Sequence, residues 1–259
     1  MQDLKVLLVQ SSLVWESPSE NRAQFAAVLE AANLAQKKLD LIVLPEMFNT
    51  GFSMNAESIA EDPEGETRAW MQEVANTYDC ALAGSVATRV SSGVANRLWF
   101  ITPDQTHHYD KRHLFRMSGE HEHYQAGKER VIVPWRGWRI KLEVCYDLRF
   151  PVFSRNRDDY DVLLNVANWP AKRSHHWRTL LAARAIENQA YVIAVNRIGS
   201  DGSNIEYSGD SLAIDAVGKV LLDMRDRAAC EAVSLSADDL AVYREKFPAH
   251  RDADEFLLQ

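Results

Sequence analysis

The chain has 259 residues, and its 37 acidic side chains outnumber its 29 lysines and arginines, which gives a formal net charge of −8. Hydrophobic residues make up 46 % and charged residues 25 %, proportions typical of a globular protein rather than a disordered or collagen-like chain. The acidic balance argues against nucleic acid or an anionic membrane as a partner, because both require a basic face, and no window holds the roughly 18 consecutive apolar residues of a membrane span.

The N-terminal segment and the cysteines indicate a cellular compartment. Residues 1–17 carry an acid at Asp3 and lack the basic start and small-residue cleavage site of a signal peptide, so we expect a cytoplasmic location. Cys80, Cys145 and Cys230 are odd in number and far apart, which fits neither a disulfide framework nor a C-x-x-C zinc site. The eight histidines offer no H-E-x-x-H spacing, and we expect neither a metal nor a cofactor.

The first third of the chain alternates between strand and helix patterns. Leu4–Gln10 alternates as a strand does, and Ser17-Pro18-Ser19-Glu20 has the form of a capping box with proline at the first helical position. Residues 40–45 form a short apolar run, typical of a strand covered on both faces. A second helix is predicted over residues 67–77 and a strand over residues 80–86. This β-α-β-α-β order predicts neighbouring strands joined by helical crossovers.

The rest of the chain repeats the alternation after a change of character in the middle. Strands over residues 96–101 and 106–110 are expected to pair, and a long polar stretch follows over residues 111–130. The later elements are predicted as strands at 138–145 and 160–166, a helix at 176–189, a strand at 191–196 and a hairpin at 211–214 and 219–222. No linker rich in glycine, proline or serine divides the chain, so we expect one domain over residues 1–259 with a tail from about residue 237.

Three reactive side chains follow predicted strands directly: Glu46, Lys111 and Cys145. Open α/β sheets bind ligands outside the carboxyl ends of their strands, so the three are candidates for one site. A thiolate is a nucleophile whose pKa a nearby ammonium lowers, and a carboxylate within reach can carry the proton. Each residue also has a structural interpretation, as a small buried cysteine, a turn glutamate and a solvated lysine, and the pattern alone leaves both interpretations open.

Local strings around these residues resemble a known family. LPEMF at 44–48, YDKRHLF at 109–115 and CYDLRFP at 145–151 are similar to the three signatures of the nitrilase (carbon–nitrogen hydrolase) superfamily, in the same order. The resemblance extends over nearly the whole chain and implies an α/β fold built as a four-layer α-β-β-α sandwich. It also implies that Cys145 attacks a carbonyl to form a thioester while Glu46 acts as general base and acid. Lys111 and the backbone N–H of Tyr146 would then stabilise the oxyanion.

The resemblance also implies a second glutamate, which would hold Lys111 in place. Glu120 and Glu122 are both available, and the spacing to Gly127 favours Glu120. Glu143 departs from the family pattern, which usually has an uncharged residue at this position. Strand alternation places its carboxylate on the same face as the Cys145 nucleophile, where it would raise the thiol pKa and oppose activation. Arg139 or Lys141 on the same face could neutralise it. If neither does, a binding protein without turnover becomes the alternative.

The segments ANWPAKRSHHW at 167–177 and CYDLRFPVFSRN at 145–156 are most similar to bacterial omega-amidases. This similarity implies release of ammonia from ω-amides of 2-oxo dicarboxylic acids such as 2-oxoglutaramate. The distal carboxylate of such a substrate needs a cation, for which Arg149 is the first candidate and Arg173 the second. A buried ion pair is the alternative for Arg149. Trp169 and Phe52 are candidate pocket walls, with an ordinary core position as their alternative.

The family resemblance leaves two further hypotheses open. Another carbon–nitrogen hydrolase activity, on deaminated glutathione or an N-carbamoyl amino acid, is an alternative to the omega-amide. A homodimer is also implied, because the family commonly pairs two sandwiches, and the tail is apolar at Tyr243, Phe247-Pro248 and residues 256–258. The expected partners are therefore a small-molecule amide and a second copy of the chain.

Overall fold

The computed structural model describes residues 2–32 and 38–258. A first six-stranded sheet has the order β14-β1-β2-β3-β4-β5. Its strands β1 and β2 are parallel, as are β2 and β3, and the other pairs are antiparallel. Its strands are β1 (Leu4–Gln10), β2 (Leu41–Val43), β3 (Ala81–Val90), β4 (Gly93–Ile101), β5 (Thr106–Asp110) and β14 (Ala229–Leu235).

A second six-stranded sheet has the order β13-β12-β9-β8-β7-β6. The three strands β7, β8 and β9 are parallel, and the outer pairs are antiparallel. Its strands are β6 (Ile132–Trp135), β7 (Trp138–Val144), β8 (Val162–Ala167), β9 (Tyr191–Asn196), β12 (Leu212–Ile214) and β13 (Val220–Asp223). A short ribbon pairs β10 (Ile198–Ser200) with β11 (Glu206–Ser208).

Helices pack on the outer face of each sheet. The helices of the described residues are α1 (Pro18–Ala31), α2 (Ala56–Ile59), α3 (Glu66–Tyr78), α4 (Glu120–His123), α5 (Pro151–Ser154), α6 (Ser174–Asn188) and α7 (Ala237–Lys246). On the first sheet α1 and α3 pack through a shared apolar cluster that includes Phe25 and Met71, and on the second sheet α6 packs through Trp177 and Leu181. None of these helices is both long and apolar enough to cross a membrane.

The inner faces of the two sheets form the main core. Alternate residues of β1, such as Leu4 and Val6, pack in one cluster with alternate residues of β7, such as Ile140 and Leu142. Full burial of such a side chain contributes about 1.5–3 kcal/mol, so the sheet-to-sheet contact is a large part of the stability. The expected four-layer α-β-β-α sandwich is thus confirmed.

Most predicted elements are confirmed within two residues of their ends. The capping segment does start α1, but Ser17 Oγ donates to Glu20 Oε1 (2.9 Å) instead of accepting from the helix backbone. The strand β14 was not predicted. Its sequence ACEAVSL is mostly half-buried, and it forms a strand through antiparallel pairing with the distant β1. The tail from residue 237 begins as the helix α7.

Candidate active site

The carboxyl ends of strands from both sheets meet at one site. Glu46 follows β2 and Lys111 follows β5 in the first sheet, whereas Cys145 follows β7 in the second. The Lys111 ammonium lies 3.0 Å from Glu46 Oε1, and the Cys145 thiol donates to the Asn168 backbone oxygen at 3.9 Å, near enough to both charged groups for them to shift its pKa. The three side chains that the sequence placed together therefore do lie together.

The backbone bends sharply at two of these positions. Met47, directly after Glu46, has φ 42° and Cys145 has φ 47°, both in the left-handed region that costs non-glycine residues on the order of 1–2 kcal/mol. The Cys145 N–H donates to Asn165 Oδ1 at 3.0 Å, which supports the turn. Cys145 then opens a short 3₁₀ helix, Cys145–Arg149. These bends turn the functional side chains out of their strands.

The Glu46 carboxylate is buried and held by three donors. Its Oε1 accepts from Lys111 Nζ (3.0 Å) and Asn96 Nδ2 (2.8 Å), and its Oε2 accepts from the Asn168 backbone N–H (2.7 Å). Asn168 Nδ2 also donates to the Glu46 backbone oxygen (2.6 Å). The sequence reasoning missed Asn96 and Asn168. A signal was present, because Asn96 is a polar residue in a strand that is apolar apart from it and Arg97, and Asn168 directly follows β8.

Lys111 is buried between two carboxylates. Its Nζ lies 3.0 Å from both carboxylate oxygens of Glu120 as well as from Glu46. Burial alone would lower the pKa of Lys111, but the charges of Glu120 and Glu46 raise it above its ordinary value. Burial also raises the pKa of Glu120, against the opposing effect of Lys111. Glu122 is exposed, so Glu120 is the glutamate that contacts the lysine.

The electrostatic state of Cys145 differs from the sequence expectation. Burial raises the pKa of its thiol well above the ordinary value, the charge of Glu46 raises it further, and Lys111 only partly opposes this. The ammonium thus lowers the thiol pKa as expected, but burial and the charge of Glu46 outweigh its effect, and the net shift is upward. The resting thiol stays protonated at neutral pH, and a base must remove its proton when it attacks.

Glu143 has a buried partner. Lys141 Nζ lies 2.5 Å from Glu143 Oε1, and both side chains are fully buried. Arg139, the other proposed partner, is instead paired with Asp161 at 2.8 Å. The strand ends at Val144 and the backbone turns at Cys145, so strand alternation does not place Glu143 and Cys145 on the same face. Lys141 therefore pairs with the carboxylate of Glu143 within the second sheet.

A cavity of about 410 Å³ opens over this cluster. Glu46, Lys111 and Cys145 line it together with Tyr146, the other candidate oxyanion donor, and with the four candidate binding residues Arg149, Trp169, Arg173 and Phe52. The Phe52 ring lies 5.0 Å from Lys111 Nζ, and Trp169 is nearly buried. Both aromatic residues therefore form cavity walls.

The two arginines at the cavity are free to meet an anion. Arg149 stacks over Trp169 at 4.7 Å and contacts His176 Nδ1 at 3.1 Å, while Arg173 lies 5.3 Å from the Phe115 ring. Neither forms an ion pair with a carboxylate in residues 2–32 and 38–258, and both are partly exposed. The alternative of a buried ion pair for Arg149 is therefore wrong. Over the same residues, no three His, Cys, Asp or Glu side chains gather into a possible metal site.

Comparisons with known proteins agree with this geometry. A family model described as carbon–nitrogen hydrolase matches residues 5–243. Omega-amidase YafV of Yersinia enterocolitica is 51 % identical over 100 % of both chains, and the 2-oxoglutaramate amidase of Bacillus subtilis is 33 % identical over 94 % of this chain and 95 % of that one. A crystal structure of a Xanthomonas campestris CN-hydrolase superfamily protein, with an arsenic adduct in its active site, superposes with a TM-score of 0.97 at 48 % identity over all of both chains. This chain belongs to the carbon–nitrogen hydrolase family.

Proposed function

We propose that this protein is an omega-amidase that releases ammonia from ω-amides of 2-oxo dicarboxylic acids such as 2-oxoglutaramate. The observation that carries the proposal is the cluster of Cys145 with the buried Glu46 and Lys111 at a cavity that also holds two arginines without carboxylate partners among the described residues. The similarity to an omega-amidase over the full chain supports the same substrate class.

The first half of the reaction acylates the cysteine. Glu46 takes the thiol proton of Cys145 as the sulfur attacks the amide carbonyl carbon, and a carbon–sulfur bond forms. The resulting oxyanion accepts hydrogen bonds from the Lys111 ammonium and the Tyr146 backbone N–H. As the carbon–nitrogen bond breaks, Glu46 returns the proton to the leaving nitrogen, and ammonia departs. A thioester to Cys145 remains.

The second half releases the acid. Glu46, now ionised again, removes a proton from a water molecule that attacks the thioester carbonyl. The same two donors hold the second oxyanion, and the carbon–sulfur bond breaks as Cys145 recovers its proton. Glu120 positions Lys111 throughout, at 3.0 Å from its ammonium. Loss of one oxyanion donor generally costs about 10²–10³ in rate, so Lys111→Ala is expected to be nearly inactive.

The arginines select the substrate. A 2-oxo dicarboxylic ω-amide carries a carboxylate at the end away from the amide, and Arg149 or Arg173 offers it a planar bidentate partner. A neutral amide of the same length would leave both cations without an anion in the cavity, which favours the charged substrate. Phe52 and Trp169 would flank the carbon chain between the two ends.

Ammonia release from 2-oxoglutaramate by the wild type and by Cys145→Ala tests the mechanism. We expect turnover by the wild type alone, and equal rates would end the thioester mechanism. A panel with a neutral amide, deaminated glutathione and an N-carbamoyl amino acid tests the substrate class, because preference for any of these would contradict it. A Cys145 thiol that a thiol-directed reagent cannot label would support a non-catalytic protein.

Single variants separate the two arginines. Arg149→Met is expected to raise KM for 2-oxoglutaramate by about 10- to 100-fold, the loss of a hydrogen bond to a charged group, while kcat changes little. Arg173→Met is the matched control, because it removes the same charge from the same cavity. A larger effect of Arg173→Met would assign the clamp to that residue instead.

We also propose that the protein is a cytoplasmic homodimer of single-domain chains spanning residues 1–259, with the tail from about residue 237 at the interface. Phe247 and Leu257 are exposed by 59 % and 90 %, which supports a covering partner, although Tyr243 and Leu258 already pack on the core of their own chain. The negative net charge supports a small-molecule substrate rather than nucleic acid or membrane. A monomer in light scattering would contradict the dimer.

A further inference from the structure

Two functional segments belong to different sheets and must keep a fixed separation. The lysine segment, residues 109–113, carries Lys111 at the end of the first sheet. The nucleophile turn, residues 144–147, carries Cys145 at the end of the second. A movement of one sheet past the other would displace the ammonium from the oxyanion that forms on the substrate carbonyl when the sulfur attacks its carbon. A misplacement of about 1 Å can cost about 10² in rate.

One carboxylate, that of Asp147, bonds to both segments. Its Oδ2 accepts from the Tyr109 hydroxyl (2.7 Å) and from the Val144 N–H (2.9 Å). Its Oδ1 lies 3.0 Å from the His113 backbone nitrogen, which donates to it, and 2.7 Å from the His113 ring Nδ1. Asp147 is fully buried and does not line the cavity. It therefore joins the two segments from behind the site.

The contacts of Asp147 bracket Lys111 closely. Tyr109 lies two residues before the lysine and His113 two residues after it, and the Tyr109 hydroxyl also accepts from the Arg112 N–H (3.0 Å). Burial raises the pKa of Tyr109 well above its ordinary value, and Asp147 raises it further, so the hydroxyl keeps the proton that it donates. The lysine segment is thus fastened on both sides of its functional residue.

We infer that Asp147 is a positioning residue that sets the distance between the Lys111 ammonium and the carbonyl carbon bound to Cys145. The inference rests on the proposed function, because it concerns the oxyanion of that reaction. A carboxylate is required at this position, since all the groups around it present hydrogens. A carboxamide would turn an NH₂ group toward either the Tyr109 and Val144 donors or the His113 donors.

The sharpest test is Tyr109→Phe, which removes the hydroxyl bond from the lysine segment to Asp147 Oδ2 and leaves the contacts of His113 with Oδ1 and the bond to the nucleophile turn. Tyr160→Phe is the matched control, because Tyr160 is also fully buried and its hydroxyl makes a 2.7 Å hydrogen bond to the Ser154 oxygen. The readouts are kcat and KM for ammonia release and the rate at which iodoacetamide alkylates Cys145. Alkylation develops no oxyanion, so a small displacement of the Lys111 ammonium acts on it only through the charge that the thiol experiences, and much less than on a step that needs a hydrogen bond to the oxyanion.

We expect Tyr109→Phe to lower kcat at least about tenfold, with KM, the alkylation rate and the midpoint of urea unfolding close to those of Tyr160→Phe. Asp147→Asn should lower kcat by about 10² and also slow alkylation about tenfold, because the nucleophile turn loses its bond as well. Wild-type kcat in Tyr109→Phe, or an equal loss in Tyr160→Phe, would overturn the inference even if Asp147→Asn does not fold.

Failure of the proposed function can be distinguished from failure of the inference about Asp147. If the wild type releases no ammonia from 2-oxoglutaramate, the substrate assignment fails, and alkylation decides the inference. Slow alkylation of Asp147→Asn beside wild-type rates in Tyr109→Phe and Tyr160→Phe would support a positioning role at the nucleophile turn. Wild-type alkylation of a folded Asp147→Asn would overturn it, as would an Asp147→Asn that does not fold.

Discussion

The buried ion pair between Lys141 and Glu143 allows a quantitative prediction about stability. Both side chains are fully buried in the second sheet, and Glu143 Oε2 has no hydrogen-bond partner among the residues that the structure describes. The ammonium also lies 4.1 Å from the Phe153 ring. Burial lowers the pKa of Lys141, and the charge of Glu143 opposes that shift. The carboxylate therefore offsets part of the cost of burying the ammonium.

Removal of one partner leaves the other charge buried without compensation. Glu143→Leu is expected to reduce the free energy of unfolding by about 3–5 kcal/mol, whereas the double variant Lys141→Met/Glu143→Leu should be within about 1 kcal/mol of the wild type or more stable. The resulting coupling between the two positions is on the order of 3 kcal/mol. The double variant should still release ammonia, because neither residue lines the cavity.

The pH dependence of the free energy of unfolding distinguishes an uncompensated buried charge from a simple packing defect. In Glu143→Leu the pKa of Lys141 in the folded protein falls further below its ordinary value of 10.5, so the unfolded chain binds one more proton than the folded one. The free energy of unfolding should then rise by about 1.4 kcal/mol per pH unit between the two pKa values. Urea unfolding between pH 7 and pH 9 measures this slope.

The wild type and the double variant are the controls. The wild type should show a much smaller slope, because the carboxylate offsets the effect of burial, and the double variant should show none from this site. If Glu143→Leu loses less than about 1 kcal/mol and its slope equals that of the wild type, the pair is not a desolvated charge pair and the reasoning is wrong.

Three further outcomes are expected. Asn96→Leu removes the 2.8 Å bond to Glu46 Oε1 and should lower kcat/KM for 2-oxoglutaramate about 10- to 100-fold; an unchanged value would contradict the role of Asn96 in holding the base. Gly127→Ala would place its Cβ 2.0 Å from the Asp110 carbonyl oxygen, so urea unfolding should show a loss of about 3 kcal/mol, and wild-type stability would refute the contact. The pKa of Cys145 is raised above the ordinary 9.0, so the protonated thiol stabilises the folded protein fully below pH 9 and less at higher pH. Above pH 9 the free energy of unfolding of the wild type should fall, relative to that of Cys145→Ala, by about 1.4 kcal/mol per pH unit. A difference between the two proteins that does not change with pH would count against the raised pKa.

The amino-acid sequence by itself determined the order of most strands and helices. Periodicity and caps are local properties, so Leu4–Gln10 and Tyr191–Asn196 were predicted at their observed bounds. The sequence also predicted that Glu46, Lys111 and Cys145 share a site, because each follows a predicted strand and the three signature strings occur in the order of the family. Each of the three signature strings covers the end of one strand and the turn after it. Such a string is local, so its resemblance to the family can be recognised from the sequence alone.

The tertiary structure alone decided what surrounds those residues. Asn96 and Asn168 bond to Glu46 from 50 and 122 residues away, and Asp147 joins segments of two sheets, so no local pattern reveals these contacts. The partner of Glu143 was undecided for the same reason, because two cations lie on its strand. The net shift in the pKa of Cys145 could not be derived from the sequence, because it depends on how much water the finished fold excludes, a quantity set by packing across the whole chain.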